Sequence, residues 1–95
     1  MQRHERASAF GGSDGHAYSV AIWIDEEPDE RGRYGAALLF VRWNPAGNAP
    51  AGHLESPPLA WGKTPEDAEA RLKAFSLFDV KAELDAAIAR QPEEW

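Results

Sequence analysis

The chain has no cysteine. A disulfide framework, thiolate catalysis and a thiolate metal site are therefore all excluded. Long hydrophobic runs are missing as well. The longest nearly apolar stretch, residues 34–41, is far too short to span a bilayer. The first sixteen residues, "MQRHERASAFGGSDGH", hold charges but no apolar core segment, so they do not read as a signal peptide. Positive charge is also scarce. Ten basic residues stand against sixteen acidic ones, for a formal net charge of −6. Nucleic-acid binders concentrate basic residues to displace counterions from phosphate. Here the bases are scattered, which argues against direct nucleic-acid binding. These absences suggest a soluble, cytoplasmic protein without a membrane role, whose field suits a basic protein partner.

What is present is enough for one small domain. At 95 residues, with 43% hydrophobic and 27% charged, the composition is that of a folded chain. A chain of this size buries roughly 60–65% of its unfolded surface, so it folds alone with little margin. Residues 1–15 are polar and rich in Gly and Ser, and read as a flexible N-terminal arm. Residues 16–95 then form a single α+β domain.

Residues 18–25, "YSVAIWID", alternate with period two. Tyr18, Val20, Ile22 and Ile24 share one face, while Ser19, Ala21, Trp23 and Asp25 share the other. The charged stretch 26–33, "EEPDERGR", reads as a hairpin connection. Residues 34–43, "YGAALLFVRW", are apolar on both faces, the mark of a central strand. A loop at 44–52 precedes a third extended segment, "HLESPPLAW", at 53–61. Pro57 and Pro58 cannot donate hydrogen bonds, so this is an edge strand interrupted in its middle.

From Thr64 the period becomes helical. Ala68, Leu72 and Phe75 make one stripe, and Val80, Leu84, Ala87 and Ile88 make a second, out of phase with the first. The expectation is two helices broken near Ser76 to Asp79, with Asp79 as a possible cap and one bent helix as the alternative. Pro92 ends the last helix. The expected architecture is a three-stranded antiparallel meander with these helices packed on one sheet face.

Gly62-Lys63-Thr64 matches the end of the phosphate-loop pattern G-x-x-x-x-G-K-[ST]. The first glycine of that pattern should stand at position 57, which is Pro57, followed by Pro58. Two prolines remove the N–H groups that would cradle phosphate. The triplet reads better as a helix start: Thr64 at the N-cap, Pro65 at the first helical position, and Asp67 closing a variant capping box.

Five carboxylates crowd residues 25–30: Asp25, Glu26, Glu27, Asp29 and Glu30. They lack the calcium-loop spacing, and Pro28 interrupts them. A solvated hairpin tip that steers a partner electrostatically is the reading adopted. His53 and Glu55 share a strand face near Trp61 and mark an alternative pocket for a small ligand or a catalytic site. They show no metal-site spacing, and the five serines show no nucleophile motif. No cofactor, metal site or catalytic residue is expected.

Four tryptophans are a surplus for this length. Trp23 points away from the face that the helices cover, as do Leu39, Val41 and Trp43. One helical layer covers one face only. The other is expected to serve as a contact surface for a protein partner or for a homodimer. Folding of the N-terminal arm or of loop 44–52 across it is the alternative.

Gly62, Thr64, Glu66, Asp67 and Ala68 follow the pattern G-x-T-x-E-E-A, which leads from a last strand into a helix. With this pattern and its β-β-β-α order, the stretch from Tyr18 to about Phe75 resembles the HicB-like antitoxin domain. The resemblance implies a protein that neutralises another protein by binding it. Small immunity proteins have a similar size and acidity. The chain departs from the family after its first helix, where a second helical stripe stands in place of a further strand, and it carries no separate DNA-binding segment. The leading reading is a non-enzymatic protein-binding module. A small-ligand or catalytic protein and a structural accessory subunit are the alternatives.

Overall fold

The architecture was obtained as a computed structural model, which describes residues 2–3 and 10–90. Its centre is the hairpin of β3 (Ala17–Ile24) and β4 (Tyr34–Trp43). Their antiparallel register sets Tyr18 opposite Arg42 and Ile24 opposite Ala36. Asp29 organises the connection. Its carboxylate accepts the N–H groups of Arg31 and Arg33, both at 2.9 Å, and Gly32 takes the left-handed φ of 77° that the turn needs.

The outer strand beyond β4 comes in two pieces, β5 (Pro50–Glu55) and β6 (Ala60–Gly62). Leu39 faces Glu55, and Ala36 faces Ala60, so three steps along β4 correspond to five along its neighbour. The surplus falls at Pro57 and Pro58, as their missing donors require. Ser56 bridges the gap. Its hydroxyl accepts the Leu38 N–H at 2.9 Å and donates to the Pro57 carbonyl at 2.8 Å.

The opposite edge holds a row that the sequence reading leaves in the arm. β1 (Gln2–Arg3) pairs with Ile22 and Trp23, and β2 (Phe10–Gly11) pairs with Tyr18 and Ala17. These two stretches belong to the sheet, making four rows instead of three. Residues 4–9 lie outside the described residues. The turn from β2 into β3 is tied down by Asp14, which accepts the Tyr18 hydroxyl at 2.6 Å and the His16 N–H at 3.0 Å. Burial pushes the Asp14 carboxyl up, but the Tyr18 hydroxyl and the His16 N–H outweigh it and hold it below its ordinary value. Burial and the same bond push the Tyr18 phenol up to about 12.

Two helices follow, α1 (Pro65–Lys73) and α2 (Leu77–Arg90). Thr64 caps α1 by accepting the Asp67 N–H at 3.0 Å, while the Asp67 carboxylate reaches back to the Lys63 N–H at 3.3 Å. The chain breaks before α2, where Ser76 and Asp79 cap each other's N–H at 3.0 and 3.1 Å. Ser76 is therefore the N-cap, and Asp79 is the third residue of the helix rather than its cap. The described part of α2 ends at Arg90, so Pro92 lies outside the described residues.

Both helices cover one face of the sheet. Tyr18, Ile22, Ile24, Leu38, Phe40, Ala68, Leu72 and Leu84 make a continuous core beneath them. Gly62 marks the closest approach: a Cβ there would sit 2.4 Å from the Ala68 N and 2.8 Å from the Asp67 carbonyl carbon. Arg90 ties the end of α2 to the sheet by donating to the Glu55 carbonyl at 3.4 Å. No helix among the described residues is long and apolar enough to cross a membrane.

Candidate functional site: an open sheet face and a basic edge

Strand alternation turns every second residue of β3 and β4 away from the helices. On that far side, Trp23 is 40% exposed, and Leu39, Val41 and Trp43 are half-buried. No helix among the described residues lies across this face. Trp43 is held in place by its indole N–H, which donates to the Ser19 hydroxyl at 2.7 Å.

The centre of this face is a groove of about 620 Å³ lined by Trp23, Leu39, Val41, Pro50, His53 and Glu55. Three of the four predicted contact residues therefore meet there. Trp43 lies on the same face, next to Pro50 in the ladder, but outside the groove lining. His53 and Glu55 stand opposite Val41 and Leu39 on β5, and both are exposed. They give the apolar floor a polar rim.

Trp61 does not join them. It sits opposite Gly35, whereas Glu55 sits opposite Leu39, four residues further along β4. At strand rise that is a separation of about 13 Å. The break at Pro57 and Pro58 moves Trp61 along the edge, so the three residues of the expected alternative pocket are split between two places. Among the described residues, no three His, Asp or Glu side chains converge as a metal site would require.

The five acidic residues of 25–30 are all exposed, as is Pro28, which interrupts the run. They are not equivalent. Asp29 belongs to the turn, and the Arg33 N–H bond, with help from Arg31, holds its carboxyl below the ordinary value. Asp25 turns back towards the sheet, its carboxylate 3.0 Å from where a Gly35 Cβ would lie.

Two features escaped sequence reasoning. The first is a groove of about 690 Å³ along β6, walled by Arg31, Arg33, Trp61, Lys63, Arg71 and Phe75. The Arg33 guanidinium lies 5.4 Å from the centroid of the Trp61 ring. The second is the start of α2, where Leu77 and Phe78 are 69% and 82% exposed. Both residues fall off the two helical stripes, and that was the available signal for them.

No family model, curated protein or solved structure matches the chain.

Proposed function

We propose that this chain is a non-enzymatic protein-binding module that works through the open face of its sheet. The observation that carries this reading is the grouping of Trp23, Leu39 and Val41 in one groove on the face that neither described helix covers. An apolar centre with an aromatic anchor and a polar rim is the usual anatomy of a protein contact. Here His53, Glu55 and the carboxylates of the β3–β4 tip form the polar surroundings. The acidic tip favours encounter with a basic surface.

Homodimerisation is the simplest form of this activity. Blocking of a protein partner, in the manner of an antitoxin or immunity protein, is its most concrete biological form. The β-hairpin, the edge strand and the capped helix from Tyr18 to Phe75 keep the likeness to HicB-like antitoxins in play as part of this proposal. A cytoplasmic setting accompanies it.

The test is size-exclusion chromatography over a concentration series, with the native chain beside Trp23→Ala. The expected result is a concentration-dependent shift that Trp23→Ala weakens while keeping its circular dichroism spectrum. A strict monomer at all concentrations sinks the homodimer form. The blocking form is tested by comparing affinity captures from native lysate. Captures that are identical for the native chain and a folded Trp23→Ala, Leu39→Ser variant sink the assignment of binding to this face.

A further inference from the structure

The groove along β6 has a chemistry opposite to that of the chain. Of ten basic residues in a protein of net charge −6, four line it: Arg31, Arg33, Lys63 and Arg71. Asp67 is the acid in its wall. Asp29 pairs with Arg33 at 3.0 Å, and Asp67 pairs with Arg71 at 3.4 Å. Arg31 and Lys63 have no ion pair among the described residues. The cations therefore exceed the carboxylates that answer them.

The groove also follows the outer edge of β6, which no further strand among the described residues pairs. The Gly35 carbonyl accepts the Asp25 N–H, so the backbone of Gly35 faces β3. In an antiparallel ladder its opposite residue, Trp61, then turns its own N–H and C=O away from β4. Along β5, Arg90 occupies the Glu55 carbonyl and Arg42 the Ala51 carbonyl. The Trp61 side chain is 39% exposed, and Phe75 is half-buried at the groove wall.

We infer that this groove binds an extended acidic segment of a partner protein, which adds as a short strand to the outer edge of β6. The Trp61 backbone groups hold the strand, Lys63, Arg31 and Arg71 meet its carboxylates, and its alternate apolar side chains meet Trp61 on one face of the sheet and Phe75 on the other. Charge selects this occupant over a long polyanion. A nucleic acid would carry its charge beyond the groove onto the surrounding acids, whereas a short acidic segment keeps its charge among the cations. The inference does not rest on the open sheet face, because the two grooves share no lining residue.

The probe is a short fluorescein-labelled peptide of alternating glutamate and valine, titrated at low salt into the full chain and followed by anisotropy. Saturable binding is expected, weakened at least about tenfold by Lys63→Glu with Arg71→Glu and by physiological salt. Trp23→Ala should leave it unchanged. Because Arg71 belongs to α1, thermal unfolding checks the double variant, and the loop variant Arg31→Glu provides a second reversal outside any helix. No saturable binding, equal binding of a lysine–valine peptide, or indifference to both reversals overturns the inference. So does tighter binding of an oligothymidylate. Self-association that the reversals abolish, without peptide binding, assigns the groove to the acidic tip of a second copy and overturns the peptide as occupant.

Discussion

The two faces of the sheet are made by the same two strands and differ only by one residue of phase. On the helix side, Ile22, Ile24, Leu38 and Phe40 are at most 4% exposed. On the far side, their immediate neighbours Trp23, Leu39 and Val41 are exposed or half-buried. Both sets are apolar, so hydrophobicity alone does not decide which is core. The decision comes from the chain downstream, where a glycine and a capped helix start bring α1 down on one face only.

The largest expected effect separates the two faces directly. Phe40→Ala should destabilise the fold by about 3–5 kcal/mol, the usual range for emptying a buried aromatic site. Leu39→Ala, one residue away, should cost less than about 1 kcal/mol in the dilute monomer, because the site it leaves is open to water. Urea unfolding at low protein concentration measures both. Equal costs would mean that the far face is covered as well.

A smaller effect tests how the helix chooses its side. Gly62→Ala places a Cβ against the backbone of Asp67 and Ala68 and should cost about 1–3 kcal/mol. A thermal melt that matches the native chain would show that α1 sits further from β6. The helix caps come next. Thr64→Ala and Ser76→Ala should each cost about 1 kcal/mol, since each removes an acceptor for a first-turn N–H.

The last effect is invisible at neutral pH. The folded Tyr18 phenol titrates near 12, above its ordinary value of 10.0. Its protonated form is favoured by folding, so its contribution is complete below pH 10 and is lost as pH rises through the folded value. Asp14 behaves oppositely. Its lowered value makes a contribution that is present above the ordinary carboxylate range and is lost as pH falls through the folded value. Tyr18→Phe should flatten the alkaline loss in unfolding experiments between about pH 10 and 12. An unchanged alkaline profile would place the phenol away from Asp14.

Much of the fold was legible because it is written in local periods. The alternation at 18–25 appears as Ala17–Ile24, and the two-sided apolar run appears as Tyr34–Trp43. Pro57 and Pro58 announce the broken edge, and the phase slip between the two helical stripes announces the break before α2. The fourth row was not legible. Two strands of two residues each carry no period to detect, and nothing in "QR" or "FG" marks pairing to β3. The shared face of Trp23, Leu39 and Val41 could be read because these residues alternate along adjacent strands. The basic groove could not, since residues 31–33, 61–63 and 71–75 are distant in sequence and their charges look scattered until the hairpin, the edge strand and α1 converge.

The most direct test of the account is the solvent access of paired methyl groups, read by NMR with a soluble paramagnetic probe while protein concentration is raised. Leu39 and Val41 should be broadened in dilute solution and become protected as the chain associates, while Leu38 and Leu54 stay protected throughout. Association that leaves Leu39 and Val41 as broadened as before, or their protection already in the dilute monomer, would contradict it.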